Sequence, residues 1–88
     1  MKKIKVEGEG IKSFELEVKE PNLSIRKDLN ALLYKMFNDK EGMFTSAVEI
    51  ISLITELTDD QINEYSNDEI FSIALSISNS VNRTKKKK

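Results

Sequence analysis

Two pairs of adjacent carboxylates, Asp59 with Asp60 and Asp68 with Glu69, are the residues of this 88-residue chain whose types first suggest chemistry, because an acid beside a base can move a proton. Neighbouring positions on a helix point about 100° apart, so neither pair converges on one substrate atom. Ser13, Ser52, Ser72, Ser76, Ser78 and Ser80 have no histidine to activate them, and none lies in a G-x-S-x-G elbow. Without histidine or cysteine, the usual zinc and imidazole sites, disulfides and thiolate chemistry drop out. The acids of Asn38-Asp39-Lys40-Glu41-Gly42 lack the alternating oxygen ligands and the terminal bidentate glutamate of a calcium loop. Gly8 and Gly10 join two strand-like runs and no G-K-[ST] follows them, so they do not form a phosphate loop. We therefore expect no catalytic residue, no cofactor and no metal ligand, and a role other than catalysis.

The acids have a structural use instead. Thr58 is followed three residues later by Gln61, and Ser66 by Glu69, each just ahead of an apolar residue, Ile62 or Ile70. In such a capping box the hydroxyl accepts from an amide in the first helical turn and the third residue reaches back to the cap amide. Two helices should start here in quick succession, with the four acids at the ends where a helix dipole favours negative charge. The first is expected to span about two turns, too short to persist unless Ile62 and Tyr65 pack on something else. It reads as a bracket that turns the chain and delivers the helix after Ser66 onto a core built by earlier segments.

Length and charge narrow the class further. Eighty-eight residues supply one modest core, expected as a single domain over 1–82 followed by a disordered basic tail over 83–88. Arg83 and Lys85 to Lys88 hold five of the 14 basic residues; nine remain against 15 acids, so the body carries about -6. An acidic body repels a phosphate backbone, which makes nucleic acid an unfavoured partner despite Gly42 lying between two helices in the manner of a helix-turn-helix. The residues after Met1 lead into alternation and not into an apolar run, and no stretch has the length of a membrane-spanning helix, so a cytoplasmic, non-membrane protein is expected.

Around the bracket, the fold class read from pattern is α+β: an N-terminal β-hairpin followed by three main helices and one short one. Ile4 and Val6 alternate with lysine and glutamate, as do Phe14, Leu16 and Val18, with Gly8-Glu9-Gly10 between them supplying glycines for positive φ. Two strands are marginal alone, so their apolar face must be covered by helices or by another chain. Pro21 ends the second strand, and Asn22 or Ser24 can cap the next helix, whose stripe is Leu29, Leu32, Leu33, Met36 and Phe37. Ser46 with Glu49 reads as a third capping box, opening a central helix that runs through Ile54 to Leu57. The last helix places Ile70, Ile73, Ala74, Ile77 and Val81 on one face, and the polar run 79–84 is expected to fray. Phe71 and Leu75 lie on its flank, where they either complete the core or contact a subunit or partner; they are the candidate partner-binding residues.

With its opening KIKVEGEGIKSFELEVKEP, the junction Glu20-Pro21 and the doubly capped LTDDQINEYSNDEI, the chain resembles the small tail assembly chaperones of long-tailed bacteriophages and prophages. The resemblance implies a protein of the bacterial host cytoplasm that binds the tape-measure protein. It would keep that protein's helices soluble while tail-tube protein polymerises around them, act as a homo-oligomer, and be absent from the mature virion. The alternative from another class is a small regulatory or adaptor domain that associates with nucleic acid through its basic C-terminal tail.

Overall fold

Alternation at the N-terminus produces β1 (Lys2–Val6) and β2 (Phe14–Val18), which pair antiparallel with Ile4 opposite Leu16 and Val6 opposite Phe14. The computed structural model describes the backbone of residues 2–86 and side chains over 2–80. Four helices follow: α1 (Leu23–Asn38), α2 (Met43–Ile54), α3 (Asp59–Asn63) and α4 (Asn67–Lys86), giving the expected α+β architecture. Ile4, Val6 and Val18 are buried, and Phe14 and Leu16 are half-buried, so the hairpin's apolar face is covered by this chain's own helices. The loop is longer than Gly8-Glu9-Gly10: it runs from Glu7 to Ser13 and tucks Ile11 against the core. Within it Gly10 alone takes positive φ, at 80°.

Asn22 resolves the capping choice, since its side-chain oxygen accepts from the Ile25 amide at 2.9 Å. Helix α1 buries Leu29, Leu33 and Met36 and half-buries Leu32, but Phe37 is 60% exposed and not part of the buried stripe. It lies about 80° round the wheel from Leu29 and one residue from the end of α1, where no neighbouring element covers it. Helix α2 begins at Met43 with Gly42 as its cap, so Ser46 opens nothing: it sits buried inside the helix, its amide donating to the Gly42 carbonyl at 2.9 Å. Starting a turn earlier allows Met43 to pack on the core. The same helix stops at Ile54, short of Leu57, because Thr55 turns extended and its hydroxyl donates back to the Ile51 carbonyl at 2.7 Å. The Lys19 amide then donates to the Ile54 carbonyl at 2.7 Å, so the end of β2 satisfies a terminal carbonyl of α2.

Both remaining capping boxes form. The Gln61 amide donates to Thr58 Oγ1 at 3.2 Å and the Thr58 amide to Gln61 Oε1 at 2.9 Å; Ser66 and Glu69 repeat the pair at 3.2 and 2.8 Å. Helix α3 is shorter than two turns, five residues, and is held from outside: Ile62 is buried, and the Tyr65 ring stacks on Phe14 with centroids 5.7 Å apart. The bracket has a topological purpose. Phe44 near the start of α2 meets Phe71 near the start of α4, and Ile54 at the end of α2 lines the same hollow as Ile77, so the two helices run in the same general direction. Parallel helices cannot be joined by a tight turn, and residues 55–66 carry the chain back along α2. Helix α4 is assigned through Lys86, beyond the point where fraying was expected and over 83–86 of the expected tail; the side chains from Val81 onward and all of Lys87 and Lys88 lie outside the described residues.

Candidate interaction surface

Helix α2 has two flanks to fill, because the core takes Ala47, Ile50, Ile51 and Ile54 from one arc while α1 and α4 pack on either side of it. On the α4 side Phe44 is 40% exposed and meets Phe71 edge to face, with centroids 5.9 Å apart and planes at 75°. That geometry places the positive edge of one ring on the negative face of the other. One turn further along each helix, half-buried Val48 and exposed Leu75 extend the same edge. Phe71 is half-buried against the core and Leu75 is 43% exposed, so the two candidate residues divide: Phe71 is an anchor that holds Phe44, and Leu75 is open to solvent. Phe44 was not singled out by sequence reasoning. Its signal was present, since it precedes Ala47 and Val48 by three and four residues and must share their flank.

The segment that supplies this edge carries charge of one sign. From Glu41 to Glu69 the chain has eight carboxylates, and no lysine or arginine occurs between Lys40 and Arg83. The preceding 40 residues hold nine lysines and arginines against seven acids, so charge is segregated along the chain. The acid pairs do not form a reactive site: Asp59 and Asp60 lie in the first turn of α3, Asp68 and Glu69 in the first turn of α4, and the Glu69 carboxylate is already engaged with the Ser66 amide.

Family models, curated proteins and solved structures give no match to this chain. The surface must therefore be read from its own chemistry.

Between α1 and α2 lies a second apolar groove, floored by Ala31, Leu32 and Leu53 and edged by Asp28 and Glu49. Two carboxylates thus flank leucines on the other side of α2. A smaller, more enclosed hollow of about 230 Å³ sits where Val18, Ile54 and Ile77 meet, with Lys2, Lys19 and Arg26 at its rim together with Glu20. The Ile54 carbonyl end of α2 opens there, and a helix C-terminus does not favour an anion. Among the described residues no helix is long and apolar enough to cross a membrane.

Proposed function

We propose that this protein is a tail assembly chaperone of a long-tailed phage or prophage, acting in the host cytoplasm by covering apolar helix surface of the tape-measure protein until tail-tube subunits enclose it. The observation that carries the reading is the Phe44–Phe71 pair with Leu75 beside it, an aromatic and aliphatic edge on a segment that has acids and no bases. Such an edge accepts an amphipathic helix whose apolar stripe is bordered by lysine or arginine. Burial of the stripe supplies affinity, and the carboxylates select basic partners and disfavour acidic ones. Departure before the virion is complete suits this design, because a small edge gives a moderate affinity that polymerising tube subunits can outcompete.

The test is co-expression with the tape-measure protein encoded in the same genome. A soluble complex is expected with the native chain, and Leu75→Glu together with Phe44→Ala should return the tape-measure protein to the insoluble fraction while the variant itself stays folded. If the tape-measure protein stays insoluble with the native chain, and nucleic acid instead binds in a manner lost on deleting 83–88, the regulator reading replaces this one.

A further inference from the structure

Three cations from different parts of the fold meet around one apolar hollow that the proposed chaperone edge does not use. Val18 at the end of β2, Ile54 at the end of α2 and Ile77 on α4 form its floor, all buried, with half-buried Pro21 beside them. Its volume, about 230 Å³, falls short of the roughly 300 Å³ at which ligand pockets usually begin, so it takes one apolar side chain and not a cofactor. Lys2 at the start of β1, Lys19 just past β2 and Arg26 near the start of α1 stand at the rim, with Glu20 as the one carboxylate among the described lining residues. None of these four enters an ion pair among the described residues. Three cations against one acid leave the rim at +2, on a body that carries about -6. Helix α4 passes the rim at Ser80 and its backbone continues through Lys86, so the basic run of the sequence starts at the same pole. The hollow is remote from the Phe44 ring: Ile54 and Phe44 stand ten residues, about 15 Å, apart along α2.

We propose that this hollow docks an acidic segment of another polypeptide, seating one leucine-sized side chain on Val18, Ile54 and Ile77 while flanking carboxylates meet Lys2, Lys19 and Arg26. Burial of the side chain supplies affinity, and the unpaired cations select the sign of the partner. The Ile54 carbonyl would repel a carboxylate, but the Lys19 amide already engages it at 2.7 Å. A peptide fits this lining and a nucleic acid does not, for two reasons. The described lining residues include no aromatic ring on which a base could stack, and Glu20 stands against an unbroken run of phosphates. A polypeptide can set an uncharged or basic residue opposite Glu20. The preference is opposite to that of the Phe44 edge, so the two ends of α2 take partners of opposite sign. The inference uses no residue of that edge and stands whether or not the tape-measure reading does.

The probe is a short capped peptide with one leucine set between aspartates, titrated into the isotope-labelled full chain and followed by amide NMR shifts. Saturable shifts are expected at Val18, Lys19 and Ile54, and none at Phe44 or Leu75. Replacing the peptide's leucine by alanine should weaken binding about tenfold or more. Replacing its aspartates by asparagines should weaken it by about the same factor. Lys19→Glu with Arg26→Glu should also weaken it at least about tenfold, with the helical circular dichroism unchanged, because neither side chain is buried and a glutamate suits the start of α1. A chain that shows no shifts up to millimolar peptide overturns the proposal. So does equal binding of the asparagine peptide, which means that charge plays no part, and so do shifts centred on the Phe44 edge, which mean another site. A short oligothymidylate that moves the same amides and binds more tightly than the peptide also overturns it, and makes the hollow part of a nucleic-acid surface.

Discussion

A methyl group added at Gly8 tests how α4 is seated on the hairpin. An alanine Cβ there would run into Ser72 Oγ and come within 3.1 Å of Ser72 Cβ, and Ser72 is buried in α4 at 8% exposure. The φ of Gly8 is not positive, so alanine suffers no backbone strain and the contact is isolated as the cause. Two effects oppose. Alanine removes freedom from the unfolded chain, which stabilises by about 0.4–1 kcal/mol. Forcing an extra carbon into a closed contact costs about 1–3 kcal/mol, because the Ser72 hydroxyl must turn out of the way and its Cβ, fixed on α4, still lies 3.1 Å from the added carbon. The net expectation for Gly8→Ala is a loss of about 1–2 kcal/mol, read as a fall in Tm of roughly 5–10 °C for a domain of this size. Ser72→Ala removes the hydroxyl that the methyl meets, so a double-mutant cycle by chemical denaturation should return a coupling of about 1 kcal/mol in the direction of rescue. If Gly8→Ala is as stable as the native chain or more so, or if the two changes add without coupling, the hairpin loop does not lie against α4 at Ser72 and the packing described above is wrong there.

Three further outcomes follow from single interactions. Thr58→Ala should cost about 1 kcal/mol in denaturant unfolding through loss of the cap on α3, and Gln61→Ala in that background should cost little more, because each half of the box depends on the other. Thr55→Val keeps the shape of a residue 2% exposed but leaves the Leu57 amide without the hydroxyl that accepts it at 3.2 Å; unfolding should show a loss of about 1–3 kcal/mol, and Thr55→Ser should recover part of it. Ile51→Ala empties a fully buried position and should cost about 2–5 kcal/mol, so thermal melts should show a variant partly unfolded at 37 °C.

What could be read from sequence was what depends on neighbours in the chain. The hairpin face follows from alternation, and the boxes at Thr58 and Ser66 are closed within four residues, so both form as expected. The same local pattern misled at Ser46, because Ser46 and Glu49 can form a box only if the helix starts there, and burial of Met43 draws the start back to Gly42. Leu57 has the spacing of the central helix, yet Thr55 turns extended after its amide and hydroxyl have both bonded the Ile51 carbonyl, and the Leu57 amide is taken by the Thr55 hydroxyl and not by a helical carbonyl. Gly8 looked like a turn glycine; its need for a bare α-carbon comes from Ser72, 64 positions away, which no local rule reports. At the candidate surface the flank of Phe71 and Leu75 was legible from the wheel. The division of roles between them was not, because it depends on Phe44 arriving from another helix to lean on Phe71.

The parallel course of α2 and α4 explains why acid is concentrated where it is. Side-by-side helices running the same way bring their positive N-terminal ends together, an arrangement that repels unless negative charge lies between them. Helix α2 has no acid in its first turn, and its cap is a glycine with no side chain to offer. Helix α4 brings Asp68 and Glu69 to that end, within a turn of the Phe71 ring that meets Phe44. The carboxylates that offset the two dipoles are therefore within a turn of the aromatic edge as well, and under the proposed function the same residues would favour a basic partner there. A lysine introduced there to weaken that preference would act against the packing of α2 and α4 as well, so the specificity of the edge and the topology beneath it are not independently adjustable.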